Sequence, residues 1–250
     1  MTVRNWRMRG AQFGALWLGT GQDRYPFPFH IVTGFDSEEA RDEYQQAVRA
    51  AFDGPEHDAL TAAVRILASP EIYAAVSGRT VDGQPIRAIA AQMHQQVAIA
   101  VQMPGPAPLH GGDVVVALGQ AGSLGGQIVG LLPPNAGGRH RFEKPKPEAE
   151  EDLSAGILRP ADAVPAARSL ETVLHSGHAG DGTVRVWCGP RHARGNDVGW
   201  FRWIDVAGDG RYVVGPHDHA VAVPGGPDVL VSLVSALLDS ALETVREEAW

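Results

Sequence analysis

The segment 86–102 reads IRAIAAQMHQQVAIAVQ, and it decides the fold. It contains two apolar runs of strand length, residues 86–92 and 95–102, on either side of Met93-His94. Runs joined by so short a connection form an antiparallel hairpin, because a parallel crossover needs a dozen or more residues. The sequence therefore predicts an antiparallel sheet.

Further strands are predicted on both sides of this hairpin. The turns Asp82-Gly83 and Gly208-Asp209-Gly210 favour antiparallel pairing of the strands that flank them. Alternating or short apolar patterns predict the remaining strands at residues 72–77, 113–118, 182–188, 199–206, 211–214 and 220–223.

Helices are predicted where apolar residues recur at helical spacing. The clearest begins near Pro227, because proline at the first helical position and the acidic Asp228 in the first turn both favour a helix N-terminus. Its apolar residues follow the i, i+3, i+4 rule to about Val245. The other predicted helices span residues 9–18, 36–52, 56–68, 127–132 and 163–175.

The two halves of the chain share an order of elements. Residues 113–132 and 219–238 each read as a strand, a Gly-rich turn and a helix. This similarity predicts an α+β protein with a quasi-twofold internal repeat, whose strands form one or two central sheets with helices at each end. We divide the chain into an N-terminal half (1–138), a polar connector (139–162) and a C-terminal half (163–250), which together make a single compact domain.

Composition excludes several classes of protein. With 250 residues, 44% of them hydrophobic, the chain can bury a core without metal or disulfide, and its single cysteine, Cys188, excludes an internal disulfide. The net charge of −8 disfavours a nucleic-acid partner. No apolar run approaches the length of a membrane span, and the N-terminus lacks the pattern of a signal peptide. We expect a cytoplasmic protein without membrane insertion.

A glycine-rich segment resembles a nucleotide-binding loop. Gly119, Gly122 and Gly125 lie between a predicted strand and a predicted helix, as the glycines of a dinucleotide-binding loop do. That loop belongs to a parallel sheet, whereas the strands here are predicted to pair antiparallel. We therefore interpret the segment as a turn and predict no cofactor.

Ser123 provides the alternative function, a small serine hydrolase. The stretch Ala121-Gly-Ser-Leu-Gly125 is similar to a relaxed nucleophile elbow. A triad would also need an acid, Asp205 or Asp209, and a histidine, His217 or His219. No parallel-sheet pattern precedes the serine, so an enzyme is not the favoured interpretation.

Other titratable residues have structural interpretations. His217 and His219 would point the same way on an extended segment and could form half of a metal site, but further ligands at suitable spacing are missing and a hairpin turn is favoured. His175 and His178 are interpreted as caps at a helix end, and Cys188 as a buried, unreactive thiol.

The densest aromatic cluster consists of Trp187, Trp200, Phe201 and Trp203. On a strand, Trp200 and Arg202 share one face, and Phe201 and Trp203 share the other. One face must pack against helices. If the opposite face is uncovered, its aromatic side chains would form a recognition surface, since Trp, Tyr and Arg dominate binding energies.

The order of the motifs resembles the EspG family of type VII (ESX) secretion chaperones across almost the whole chain. The similarity rests on seven collinear segments: YPFPF (25–29), LASP (67–70), DGQPIRAIAA (82–91), IVGLLPP (128–134), TVRV (183–186), GWFRWID (199–205) and DGRYV (209–213).

This resemblance implies a central antiparallel β-sheet flanked by two helical bundles with quasi-twofold symmetry. It also implies a cytosolic chaperone, not an enzyme, that binds the apolar tip of a PPE-type protein within a PE–PPE pair, keeps it soluble and directs it to secretion. Residues 77–86, where mycobacterial members can carry a long loop that touches the client, are short here. The resemblance therefore implies a PPE-type client, of another subclass, or a related helical-hairpin substrate of the WXG type. A monomer and a homodimer are both compatible with the sequence.

We predict that the client binds one face of the sheet, the hairpin around residues 77–86 and the solvent side of the C-terminal helix. The predicted contact residues are Arg79, Asp82, Trp200, Phe201, Arg202, Trp203, Ser235 and Asp239.

Overall fold

The computed structural model describes residues 4–143, 178–191, 196–215 and 221–248. The strands are β1 (Arg4–Met8), β2 (Ile72–Thr80), β3 (Pro85–Met93), β4 (Gln96–Pro104), β5 (Gly111–Gln120), β6 (Phe142–Glu143), β7 (His178–Cys188), β8 (Asn196–Val206), β9 (Gly210–Val214) and β10 (Val221–Pro224). The α-helices are α1 (Gly10–Leu18), α2 (Glu38–Ala51), α3 (Asp58–Ala68), α4 (Leu124–Val129) and α5 (Pro227–Glu248), and a 3-10 turn (Pro55–His57) precedes α3.

The strands of the described residues form one ten-stranded sheet in the order β1-β5-β4-β3-β2-β7-β8-β9-β10-β6. Neighbouring strands pair antiparallel throughout. The β3–β4 hairpin forms as predicted: Met93 pairs with Gln96, and His94 adopts a φ of 51° in the turn. The fold class is therefore α+β with a central antiparallel sheet, and the β2–β7 pair joins its N-terminal and C-terminal strands.

Helices α4 and α5 cover one face of the sheet. Ile128 of α4 and Leu230 and Val234 of α5 pack against inward-facing residues of β2, β7 and β8. The two helices approach closely, since a Cβ atom on Gly125 would lie 2.5 Å from the Ser235 hydroxyl oxygen. The predicted apolar stripe of α5 thus forms the core of this layer.

Helices α1 and α3 cover the opposite face over β1, β5, β4 and β3. Phe13 and Trp17 of α1 and Leu67 of α3 are fully buried against residues such as Ile89 of β3. Helix α2 is more exposed, and Val48 is its only buried residue.

Strand β1 was not predicted. Trp6 and Met8 point towards the α1–α3 core, and Trp6 pairs with Val116 of β5. A five-residue segment with two arginines has little strand signal of its own. Its structure depends on a partner strand about a hundred residues away in the sequence.

Other boundaries also differ from the predictions. His178 opens strand β7 and does not cap a helix, so that interpretation was wrong. Helix α4 begins at Leu124, three residues before its predicted start. The predicted helix 163–175, most of the polar connector, His175, His217 and His219 lie outside the described residues.

Candidate functional site

The aromatic cluster of β8 is divided between the two faces of the sheet. Phe201 and Trp203 are fully buried beneath α5, so theirs is the face of β8 that packs against helices. Gly78 and Gly182 make room for the Trp203 ring: a Cβ atom at position 182 would lie 2.2 Å from it. Phe201 and Trp203 therefore belong to the core.

Trp200 and Arg202 lie on the opposite face and are partly exposed. Trp200 faces Arg185 across the β7–β8 pair, and the guanidinium of Arg202 donates to Asp181 at 2.7 Å. Asp197 accepts from Arg185, and this hydrogen bond raises the pKa of the arginine. We call this surface the central strip and define it by four partly exposed residues and the exposed Arg185: Asp181, Thr183, Arg185, Trp200 and Arg202.

A second aromatic group borders the central strip. It joins Trp187 of the predicted cluster to Tyr73 and Arg191, which sequence analysis had not singled out. Trp187 stacks on Tyr73 with ring centroids 5.0 Å apart, and the Arg191 guanidinium lies 3.9 Å from the centroid of the Tyr73 ring. Burial lowers the pKa of Arg191 to about 10, and its Nε donates to the Leu67 carbonyl of α3 at 2.7 Å. This group connects the end of β7 to the helices of the N-terminal half.

The β2–β3 hairpin borders a groove at one end of the sheet. Arg79 and Asp82 are both exposed on this hairpin. The groove has a volume of about 450 Å³. We call it the hairpin groove and define it by the lining residues Phe27, His30, Arg79, Arg87, Pro108 and Leu109.

The hairpin groove exposes large apolar side chains. Phe27 is 65% exposed and Leu109 69% exposed, and Val81 at the tip of the hairpin is also exposed. The loop that carries Phe27 is fixed by Gln102, whose side-chain amide bonds to both the N–H and the C=O of His30, at 2.8 and 3.1 Å. Phe27 is therefore held at the surface by an ordered loop.

Arg87 is the buried charge of the groove. It is only 6% exposed, and one of its terminal nitrogens donates to the carbonyl of Pro108. The other terminal nitrogen, Nη1, is buried without a hydrogen-bond partner. Burial lowers the pKa of Arg87, because the charged form loses hydration. Sequence reasoning missed this residue, although a lone arginine in the apolar run IRAIAA is a visible signal.

The strand register connects the hairpin groove to the central strip. Arg87 of β3 faces Ser77 of β2, Ser77 faces Thr183 of β7, and Thr183 faces Arg202 of β8. These four residues form one row across the sheet, so three strand spacings separate Arg87 from Arg202, about 14 Å. The groove and the strip are thus parts of one face.

Residues Ser235 and Asp239 do not join this face. Both lie on α5, which packs on the other side of the sheet. Ser235 is half-buried against Gly125 of α4, so the prediction that it points outward was wrong, whereas Asp239 is exposed.

The geometry around Ser123 differs from that of a nucleophile elbow. Ser123 has a φ of −136°, outside the strained left-handed region, and its hydroxyl accepts a hydrogen bond from Gln127 at 2.6 Å. Asp205 forms a buried ion pair with Arg211. The preceding strand β5 pairs antiparallel with both of its neighbours, as the interpretation of the glycine-rich segment as a turn requires.

Neither a membrane-spanning helix nor a group of metal ligands occurs among the described residues. No helix among residues 4–143, 178–191, 196–215 and 221–248 is long and apolar enough to cross a membrane. Within the same ranges, no three or more His, Cys, Asp or Glu side chains cluster in a way that could hold a metal ion. Cys188 is buried, as predicted, and burial raises the pKa of its thiol.

The fold is an α+β architecture that presents an apolar groove bordered by arginines. The model of the EspG family matches residues 10–236, which is most of the chain. The chain therefore belongs to the EspG family, which is a family of chaperones associated with ESX (type VII) secretion. No curated protein matches the sequence.

Proposed function

We propose that the protein is a cytoplasmic chaperone that binds a PPE-type or related helical-hairpin substrate, keeps it soluble and directs it to ESX secretion. The observation that carries this proposal is the exposure of Phe27, Val81 and Leu109 around the hairpin groove. Contiguous apolar side chains at the surface of a soluble protein mark an interaction site, and an ordered loop limits the entropy lost on binding.

The client would place its apolar tip in the hairpin groove. Such tips self-associate when exposed, so covering them prevents aggregation without any chemical step. Arg79, Asp82, Trp200 and Arg202 remain the proposed polar and aromatic contacts, because they lie on the same face or border it. Release must follow, so we expect a separable interface of standard size, about 1,600 Å² in total.

Co-expression with a PE–PPE pair and co-purification test this proposal. We expect Phe27→Ser and Leu109→Ser each to weaken client binding at least about thirtyfold, as truncation of an anchor residue does. Val229→Ser is the matched control, because Val229 is an exposed apolar residue on α5, on the opposite side of the sheet. If the control weakens binding as much as the groove variants do, or if none of them does, the client does not bind in the groove.

The internal repeat also remains a proposal, and the strand order supports it. Strands β2–β5 and β7–β10 are each four consecutive antiparallel strands, and β1 and β6 each pair with the outer edge of the fourth strand in their half. A twofold axis between β2 and β7 would exchange the two sets. We propose that helical bundles flank the sheet according to this symmetry. We also propose that the chain divides into two related halves, 1–138 and 163–250, joined by the connector 139–162 within one compact domain.

A further inference from the structure

We propose that the hairpin groove binds a peptide carboxylate through Arg87, next to the apolar side chains of the same ligand. This inference rests on the proposed function only in assigning the carboxylate to a secretion substrate. It adds a charged determinant to a site whose other recognition features are apolar.

In the free protein, Arg87 has a buried hydrogen-bond donor, Nη1, without an acceptor. A buried polar group without a partner costs about 1–3 kcal/mol, and more when the group is charged. Arg87 keeps this cost in the free protein, because its Nη1 has no partner and none of the described residues forms an ion pair with it. A ligand that supplies an acceptor to Nη1 removes this free-energy cost when it binds. The unpaired nitrogen therefore favours the complex over the free protein.

The surroundings determine the class of ligand. The groove combines Arg87 with Arg79 and the imidazole of His30, and none of its lining residues is acidic. Among the described residues near it, Asp82 lies at the hairpin tip, and Asp181, opposite Arg79, already binds Arg202. A carboxylate satisfies an arginine better than a neutral carbonyl does, because charge-assisted hydrogen bonds are roughly twice as strong.

The apolar side chains beside Arg87 indicate that the ligand also carries an apolar group next to its carboxylate. Phe27 and Leu109 are exposed beside Arg87. Exposed side chains change rotamer rapidly, so they can move to admit a ligand to the buried nitrogen while the loop backbone stays in place. A leucine-like side chain adjacent to a carboxylate matches this arrangement. The carboxylate can come from an acidic side chain or from a chain terminus.

Small peptide probes separate these two sources. N-acetyl-leucine carries a terminal carboxylate, and N-acetyl-glutamyl-leucinamide carries a side-chain carboxylate. Their neutral counterparts are N-acetyl-leucinamide and N-acetyl-glutaminyl-leucinamide. Titration of the 15N-labelled full chain with each probe should give saturable amide shifts at residues 78–79, 86–87 and 109, with dissociation constants of about a millimolar for ligands of this size.

We expect at least one acid to bind about tenfold more tightly than its neutral counterpart. The acid that shows this preference identifies the source of the carboxylate. Arg87→Met should abolish the preference, whereas Arg79→Ala, which removes an exposed charge from the same groove, should reduce it by no more than about threefold. Equal affinities for acid and amide, an absence of shifts in the groove, or an unchanged preference in Arg87→Met would each overturn the proposal.

The probes contain no client, so the two proposals can fail separately. Loss of carboxylate binding with retained co-purification removes the Arg87 site and leaves the apolar groove as the client site. Carboxylate binding without co-purification leaves the site and removes the chaperone function.

Discussion

Arg87 and Arg211 are both buried in the same sheet, but their guanidinium groups are satisfied very differently. Arg211 of β9 faces Asp205 of β8 and binds both of its carboxylate oxygens, at 2.7 and 2.8 Å, and also donates to the carbonyl of Pro133. Arg87 has one carbonyl partner and one unpaired nitrogen. A complete network stabilises one conformation, whereas an incomplete one favours any partner that completes it.

The two arginines also lie at different kinds of location. Arg211 fastens the segment after α4 to the β8–β9 hairpin, where the backbone N–H of Arg211 donates to Ala136 and Gly138 donates back to Arg211. Arg87 lies beside exposed loops at the open end of the opposite face. Arg211 therefore stabilises the fold, whereas Arg87 is placed for the recognition role proposed above.

Substitution of Arg211 should have the largest effect on stability. Arg211→Met leaves the carboxylate of Asp205 buried without its partner, so we expect the free energy of unfolding in urea to fall by about 3–5 kcal/mol. The double variant Asp205→Leu with Arg211→Met should recover most of this loss, because two apolar side chains leave no charge unpaired. A loss below about 1 kcal/mol for the single variant would contradict the structural role of the pair.

Removal of the Trp203 ring should have the next largest effect. Trp203→Ala leaves a cavity under α5, and we expect a loss of about 3 kcal/mol or more in the free energy of unfolding. Trp200→Ala, on the partly exposed face, should lose about 1 kcal/mol. Urea unfolding of both variants checks the assignment of the two faces, and equal losses would show that the faces are not distinguished as described.

The loop beside Arg87 should be moderately sensitive. Gln102→Leu leaves the N–H of His30 without its acceptor, so we expect a loss of about 1–3 kcal/mol, measured by urea unfolding. The matched control is Gln92→Leu on neighbouring β3. The Gln92 side chain donates an exposed hydrogen bond to the His94 carbonyl, so its loss should lower the free energy of unfolding by less than about 0.5 kcal/mol. If both glutamines behave alike, Gln102 does not fix the loop.

Substitution of Arg87 should have the smallest effect. Arg87→Met removes the hydrogen bond to Pro108 but also removes the unpaired nitrogen, and these changes offset each other. We expect the free energy of unfolding to change by less than about 1 kcal/mol in either direction. A loss as large as that of Arg211→Met would mean that Arg87 has a structural role in the free protein.

Much of the architecture was predictable from local patterns. The β3–β4 hairpin, the α5 stripe and the antiparallel β8–β9 turn each depend on residues close together in the sequence. Strand β1 was missed because its pairing partner is remote, and the start of α4 because Leu124-Gly-Gly has little helical preference. In the candidate site, the exposed hairpin residues Arg79 and Asp82 were predicted, whereas Arg87 was not.

The alternation along β8 already showed that Trp200 and Arg202 oppose Phe201 and Trp203. It could not show which pair is covered, because burial depends on α5, which follows 20 or more residues later and crosses that side of the sheet. The environment of Arg87 likewise depends on tertiary packing: its second terminal nitrogen donates to Pro108, 21 residues away in the sequence, and segments near His30 and Pro108 line the groove beside it. Periodicity and turn chemistry act over a few residues, whereas burial and hydrogen-bond satisfaction are sums over segments that only folding brings together.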